Sequence, residues 1–412
     1  MNKQNFENKN ILSIDTTGPM ASVSLGLATG RKRTIVGEYK LTHLTSLMPM
    51  ISHLIDDAKI SPKDLDAIAV SAGPGSFTGI RIGVATARSL AQNLEIPIVK
   101  VPTLETFTFQ YGEDEKEQIV CPIFDARRGQ MYAGAYLREG NHVMTLVPGG
   151  AYEKESFFEA LKIALTSLES YRKNIYPPAI DIHLPISFRG DGIHVFEDDI
   201  NQFCQNLPNK FHIGDITQNS LAVLEWSISN GKLISYEMLE PIYMRKAEAQ
   251  RKLEEKEGQF VPYPEGTVFL DALVSDAYDI SVIERLSFLQ PWLESSIVED
   301  IENESSEYVV CKVNGRVMGY AGLHIIFDEG HISNIAVHPA LRNHGIGTST
   351  LESLMTKAEE KGATSFTLEV RAGDAKAISF YEKLGFVSEG HRKDYYPCEG
   401  GGREDALIMW KK

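Results

Sequence analysis

The chain has 412 residues, 43% hydrophobic and 24% charged, which is ordinary for globular protein and predicts two or three domains. Its net charge is −15, with −9 in residues 266–412, −5 in residues 1–245 and −1 between them. Neither part therefore offers the basic face that a nucleic-acid binder needs, and an acidic C-terminal part favours a cationic partner.

The opening MNKQNFENKN lacks the apolar core of a signal peptide. Ile11–Asp15 is an apolar strand ending in Asp15-Thr16-Thr17-Gly18. Ala21–Leu27 alternates as a second strand, and Arg33–Leu41 reads as a third. Leu44, Leu47, Met48, Ile51, Leu54 and Ile55 then recur at helical spacing, and Ser61-Pro62 begins a fresh turn. Leu65–Val70 is a buried strand. The glycine-rich stretch Ser71–Gly79 leads into a helix through about Asn93. The order β-β-β-α-β-α-β is the skeleton of the actin-like, ribonuclease-H-like α/β class. Asp-Thr-Thr-Gly and the glycine loop before a helix both hint at phosphate binding. Equally, Gly73, Gly75 and Gly79 shape a turn and a close helix contact. Asp125-Ala126-Arg127-Arg128 reads as a charged loop at a strand end.

ILSIDTTGPMASVSL together with SAGPGSFTGIRIGVATARSLAQNLEIPI resembles the TsaB family, and Gly190-Asp191-Gly192 and Pro241-Ile242-Tyr243-Met244-Arg245 fit its pattern. The likeness spans about residues 10–245. It implies a non-catalytic partner of TsaD in making threonylcarbamoyladenosine on tRNA, with TsaE docking in turn and tRNA contacted only indirectly. The paralogue TsaD needs a histidine-liganded metal. Here the corresponding helix offers His43 and His53, ten residues apart, too far along one axis to chelate one ion. Both are expected to be surface or satisfied histidines, and no metal is expected.

Lys246–Gly258, KAEAQRKLEEKEG, is densely charged, and Val261-Pro262-Tyr263-Pro264 breaks any helix. Residues 246–265 therefore read as a linker between a domain at 10–245 and another at 266–412. No repeat or low-complexity tract is visible. The four cysteines, Cys121, Cys204, Cys311 and Cys398, show no paired spacing, which suggests a reducing compartment. No apolar run approaches the roughly 20 residues that span a bilayer, so the cytoplasm is the expected location.

The second part carries the richest signal. Ile335-Ala336-Val337 is a short strand, and Arg342-Asn343-His344-Gly345-Ile346-Gly347 opens a helix. A further strand ends in Leu368-Glu369-Val370-Arg371, and the next helix carries Tyr381 and closes at Leu384-Gly385-Phe386. Two glycines between strand and helix let the backbone approach an anion, toward which the helix N-terminus turns free N–H groups. Glu369 is a candidate base and Tyr381 a candidate acid. An α-ammonium has a reference pKa of about 7.7–8.0, so a nearby carboxylate both attracts it and assists its deprotonation. Without a visible Cys–His or Ser–His pair, direct transfer is favoured over an acyl-enzyme, and Cys398 reads as a small loop residue.

The ordered combination resembles the GNAT acyltransferases. LEVRAGDAKAISFYEKLGF and the tail DYYPCEGGGREDALIMW resemble their RimI branch, the N-terminal-alanine acetyltransferases of ribosomal proteins. The resemblance implies a mixed-sheet GNAT fold over residues 266–412 that uses acetyl-CoA. Ile335, Ala336 and Val337 would pair with the pantetheine arm, and Arg342, Asn343, His344, Gly345, Ile346 and Gly347 would cradle the pyrophosphate. Glu369 would deprotonate the amine and Tyr381 would protonate the departing thiolate. Asp374 stands where the branch has an Asn contacting coenzyme A, an acidic departure. Two alternatives stay open: a scaffold whose acyltransferase half has degenerated, which the intact Arg342, Gly345, Gly347, Glu369 and Tyr381 oppose, and an N-terminal kinase-like ATPase joined to an acetyltransferase.

Overall fold

Two sheets of like topology build the first part of the chain, and a third sheet builds the second part. The structure is a computed structural model that describes all residues except 1–5, 7, 39–42, 111–117, 141, 176–181, 215–217, 245–262, 265 and 399–401. The expected linker at 246–265 thus lies outside the described residues, apart from Tyr263 and Pro264. Packing divides the chain into two units, Met1–Lys162 with Ala179–Gln259, and Ile163–Pro178 with Phe260–Lys412.

In chain order, the first part holds β1 (Ile11–Asp15), β2 (Ser22–Gly26), β3 (Lys32–Val36), α1 (His43–Ala58), β4 (Ala67–Gly73), α2 (Phe77–Leu94), β5 (Ile98–Pro102) and α3 (Thr103–Thr106). Then follow β6 (Ile119–Asp125), β7 (Gln130–Glu139), β8 (His142–Glu153), α4 (Lys154–Ile175), β9 (Ile186–Arg189), α5 (Ile193–Cys204), β10 (Phe211–Gly214), α6 (Ser220–Asn230) and β11 (Leu233–Ile234). The first sheet runs β11-β5-β4-β1-β2-β3, with β1, β4 and β5 parallel and β2 and β3 antiparallel. This is the ribonuclease-H-like order that the meander and its two crossovers call for. Strand alternation buries Leu12 and Ile14 against α1 and α2, and Ile11 against the opposite core with α6.

Two expectations here need correcting. The third strand ends at Val36, well short of Leu41. On α1, Leu44 and Met48 share the apolar spacing but point outward, 78% and 48% exposed, while Leu47, Met50, Ile51, Leu54 and Ile55 form the buried stripe.

The second sheet, β10-β9-β6-β7-β8, repeats the same meander-plus-parallel plan. Asp125 ends β6 as Asp15 ends β1, and Gly190-Asp191-Gly192 follows β9 where Gly73-Pro74-Gly75 closes β4. Gly73 and Gly190 share a positive φ, 119° and 111°. The repeat exists in the fold although none is legible in the sequence.

The second part comprises β12 (Thr267–Asp271), α7 (Ala277–Ser287), α8 (Glu294–Ile301), β13 (Ser306–Val313), β14 (Arg316–Ile326) and β15 (Glu329–Val337). It continues with α9 (Ile346–Glu360), β16 (Ser365–Arg371), α10 (Ala375–Lys383), β17 (Val387–Pro397) and β18 (Arg403–Lys411). Its mixed sheet runs β12-β13-β14-β15-β16-β18-β17, and only β15–β16 is parallel. One face carries α9 and α10 through Leu351, Leu354 and Tyr381, packed on Val309, Ala321, Leu368 and Val370. The other carries α7 and α8 through Ile280, Ile283 and Ile297, packed on Tyr308, Val310, Tyr320 and Ala336.

Candidate active site

The centre of the third sheet is split. β15 and β16 pair only over Glu329–His331 with Ser365–Thr367; beyond that no pairing joins them among the described residues, although they run on to Val337 and Arg371. A register slip in β14–β15, where Gly322 and Leu323 face Asn334 and Ile332, supplies the extra residue that bends β15 away. The His338 N–H donates to Met318 O at 2.8 Å, so by antiparallel alternation Ala336 turns its main-chain groups to β14. Ile335 and Val337 turn theirs into the gap. One of these is already engaged: Arg342 Nε donates to Val337 O at 3.1 Å.

At the mouth of the gap, Asn343 and Gly345 adopt positive φ, 67° and 77°, and Gly345 caps α9. The bond from Ser349 N to Gly345 O, 3.2 Å, is the first of the helix, which leaves the N–H groups of Ile346, Gly347 and Thr348 pointing out of its N-terminus. Gly347 has no conformational need to be glycine. A Cβ there would meet Val337 Cγ2 at 3.4 Å and Phe380 at 3.6 Å, ordinary contacts. His344 Nδ1 lies 2.9 Å from the Arg342 carbonyl, which only accepts, so Nδ1 carries the proton. Arg342 also reaches Ser287 Oγ at the end of α7, 2.8 Å away.

Alternation along β16 buries Leu368 and Val370 on the α9–α10 side and so points Glu369 to the α7–α8 face. There its Oε1 meets Arg392 Nη2 at 3.0 Å, while Tyr396 Oη donates to the Glu369 carbonyl at 3.0 Å. Tyr381 lies on the opposite face, 8% exposed, its ring against Phe380 and Phe386. Burial pushes its phenol well above the ordinary value, and the nearby Tyr396 and Asp374 push the same way. Tyr396 is raised to about 12, chiefly by burial and then by the Glu369 charge. Asp374 is the N-cap of α10, accepting from Ala377 N at 3.0 Å, and its charge is felt at Arg342. An aspartate in place of asparagine is thus explained by capping, which either residue performs.

Arg392, Tyr396, Arg371 and Glu404, none of them singled out by a sequence motif, complete this end of the sheet. Arg371 donates to Glu404 at 2.5 Å and to Pro397 O at 3.0 Å, and its guanidinium lies over the Tyr396 ring. A wide bulge, with three residues of β17 between Arg392 and Tyr396 against one of β18, aims these side chains at Glu369. The paired tyrosines Tyr395-Tyr396 were the available signal. Cys398 is half-buried in the following loop, its N–H donating to Gly402 O at 3.1 Å.

Residues 38–252 match the family described as TsaD: tRNA N6-adenosine threonylcarbamoyltransferase, and residues 277–386 match the acetyltransferase (GNAT) family. The tRNA threonylcarbamoyladenosine biosynthesis protein TsaB of Bacillus subtilis is 39% identical over 37% of this chain and 66% of its own length, just under two thirds. The [ribosomal protein bS18]-alanine N-acetyltransferase of Escherichia coli K12 is 37% identical over 31% of this chain and 84% of its own. The uncharacterized protein ML0378 of Mycobacterium leprae is 27% identical over 89% of this chain and 88% of its own, a match that spans both parts of this chain.

The chain belongs to the TsaD family in its first part and to the GNAT family in its second. It is a fusion of a TsaB-like and a RimI-like domain.

In the TsaB-like domain the suspected phosphate turn is closed. Asp15, Thr16 and Thr17 are buried, and Ser76 N donates to Thr17 O at 2.8 Å. A Cβ at Gly75 would come within 2.6 Å of Thr17, and one at Gly79 would collide with the Thr16 carbonyl. These glycines serve the approach of α2 to the turn. Burial raises the Asp15 carboxyl, against the opposing hydrogen bonds from Thr17 and Ser71. Of the two histidines on α1, His53 is exposed as expected. His43 departs from expectation: it is buried, its Nε2 donates to Gly18 O at 3.0 Å, and its Nδ1 has no partner among the described residues. No helix among the described residues is long and apolar enough to cross a membrane.

Proposed function

We propose that the RimI-like domain transfers acetyl from acetyl-CoA to the N-terminal amine of a ribosomal protein, with alanine favoured at the first position, in the cytoplasm. The observation that carries this reading is the unpaired gap between β15 and β16, with Glu369 on one face, Tyr381 on the other and a glycine turn at its mouth.

The residues present fit the acyl carrier. Within Ile335-Ala336-Val337, the main-chain groups of Ile335 and the N–H of Val337 face a pantetheine arm while those of Ala336 pair with β14, and Arg342, Asn343, His344, Gly345, Ile346 and Gly347 offer N–H groups and a cation to a pyrophosphate. Asp374 borders that mouth while holding α10 in place. Acetyl-CoA, when bound, supplies an activated acetyl group and a thiolate as leaving group. Glu369 takes the proton from the α-ammonium, leaving a neutral amine as nucleophile. Tyr381, which burial keeps protonated, delivers a proton to the departing sulfur. With acid and base on opposite faces, the proton removed from nitrogen and the proton given to sulfur follow separate routes.

The TsaB-like domain is the non-catalytic partner of a TsaD-like protein in tRNA threonylcarbamoyladenosine synthesis, with a TsaE-like protein docking in turn. The buried Asp15 turn favours this over the ATPase reading, because helix α2 fills the space a phosphate would need.

Two measurements test the proposal. Incubation with acetyl-CoA and peptides differing at the first residue should add one acetyl to the N-terminus, alanine peptides fastest; no acetylation of any peptide refutes the transferase reading. Residues 1–245 should support modification by a TsaD-like protein yet make no modified tRNA alone, and modification by that fragment alone would refute the scaffold role.

A further inference from the structure

Glu284 is a buried carboxylate on the α7–α8 face that the mechanism leaves unused and that, unlike Asp276 with Lys312, has no cation beside it among the described residues. It lies on α7 and is 1% exposed. Its Oε2 accepts from the Trp292 N–H at 2.8 Å, and its Oε1 accepts from the Tyr320 hydroxyl and from Asn334 Nδ2, the latter at 3.3 Å. No basic side chain is paired with it among the described residues, and burial raises its pKa against those hydrogen bonds. A buried carboxyl with three donors and no cation is expensive to keep, so its geometry calls for a use.

The donors come from three different places. Tyr320 is on β14 opposite Ala336, and Asn334 immediately precedes Ile335 on the open half of β15. Trp292 lies in the turn Phe288–Leu293 that joins α7 to α8. One turn beyond Glu284, Ser287 receives the hydrogen bond from Arg342 of the glycine turn. The α7–α8 turn is therefore anchored beside the open strand, on the face to which Glu369 points. An amine reaching Glu369 must come from this face, since α9 and α10 cover the other.

We propose that Glu284 is a positioning residue for the amine substrate: it locks the Phe288–Leu293 turn and Asn334 against β15, forming the wall along which the substrate N-terminus reaches Glu369. This rests on the acetyl-transfer reading above. The lock works through hydrogen bonds and not through charge. In Glu284→Gln the amide oxygen accepts from Trp292 and the NH2 group donates to a rotated Tyr320 hydroxyl and a flipped Asn334 amide, so all three partners stay satisfied.

The full chain should be compared as wild type, Glu284→Gln, Glu284→Ala and Asn334→Ala, with acetyl-CoA and an alanine-first peptide. Glu284→Ala should raise the peptide KM about tenfold, the effect of stranding buried hydrogen-bonding groups, with kcat and the acetyl-CoA KM within about twofold of wild type. Glu284→Gln should behave as wild type. Asn334→Ala, which keeps the carboxylate, should raise the peptide KM about threefold, and it decides the matter if Glu284→Ala fails to fold. Hydrogen exchange gives a readout independent of turnover: the Trp292 amide should exchange at least about tenfold faster in Glu284→Ala and unchanged in Glu284→Gln.

A fall in kcat for Glu284→Gln would overturn the proposal by making the carboxyl part of the chemistry. Parallel losses in kcat and both KM values would overturn it in favour of plain structural support. A wild-type chain that acetylates nothing would sink the transferase reading, and with it the substrate role. A Trp292 amide that exchanges no faster in Glu284→Ala would sink the lock itself.

Discussion

Glu369→Gln separates chemistry from folding because the structure bounds what else the change can cost. The amide keeps the shape of the side chain and loses the ion pair with Arg392, whose partners are 53% and 30% exposed. Such a solvated pair contributes about 0–1 kcal/mol. The main-chain links of Glu369, its register with Ile408 and its carbonyl accepting from Tyr396, are untouched. Stability should therefore shift by at most about 1 kcal/mol, or about 2–4 °C in melting temperature for a domain of this size. Losing a general base should slow turnover roughly 10²–10⁴-fold, or about 2.7–5.5 kcal/mol of barrier. The second quantity exceeds the first several times over, so a folded but slow enzyme is the expected outcome. The assay is product mass at saturating acetyl-CoA and peptide, alongside an acetyl-CoA binding titration and a melting curve. Turnover within about threefold of wild type would refute the assignment, and so would lost acetyl-CoA binding, because Glu369 would then be structural.

Tyr381→Phe keeps the ring contacts with Phe380 and Phe386 and should lower kcat with little change in melting. Since burial holds the Tyr381 phenol above its usual value of about 10, wild-type kcat should show no alkaline limb from it below about pH 10; a limb near pH 8–9 that vanishes in the variant would refute the raised phenol, and an unchanged kcat in the variant would count against the role. Gly347→Val should raise the acetyl-CoA KM without lowering stability, as its Cβ meets only ordinary contacts; unchanged affinity would show the turn does not hold the carrier. Leu44→Glu with Met48→Glu alters exposed positions of α1 and should abolish binding to a TsaD-like partner while leaving the melting curve in place, a pull-down deciding the point. Limited proteolysis should cut within residues 246–265 and leave two stable fragments, and a single resistant species would refute independent domains.

What was legible in the sequence followed from local rules. The meander, the capped turn at Ser61 and the helix after Ser76 each carry their own signal in period or capping residue. Long-range geometry was not legible. The outward Leu44 and Met48 lie on a helix whose apolar stripe is wider than the face it buries, and spacing alone does not say which edge is covered. The wide bulge of β17, which brings Arg392 and Tyr396 to Glu369, depends on pairing with β18, and the paired tyrosines Tyr395-Tyr396 alone do not reveal it. The doubled fold of the first part was hidden for a related reason. Strand order is set by which apolar faces meet, and Asp15-Thr16-Thr17-Gly18 and Asp125-Ala126-Arg127-Arg128 reach corresponding corners with different residues.

The two glycine-rich turns show why the same local pattern can carry opposite meanings. Each follows a strand and opens a helix, so by sequence both qualify as anion sites. They differ in what a side chain would meet. At Gly75, Gly79 and Gly83 the space is occupied by Thr16 and Thr17 of the same domain, so glycine is needed for protein to approach protein. At Gly347 the nearest described atom beyond its own helix backbone and chain neighbours is Val337 Cγ2, at 3.4 Å from the position of a Cβ, and the backbone there needs no special φ. Packing explains the first set and leaves the second unexplained. A glycine that the fold itself does not require, at a helix N-terminus beside an unpaired strand edge, leaves room for a ligand, which is why we propose the anion site in the second domain and not in the first.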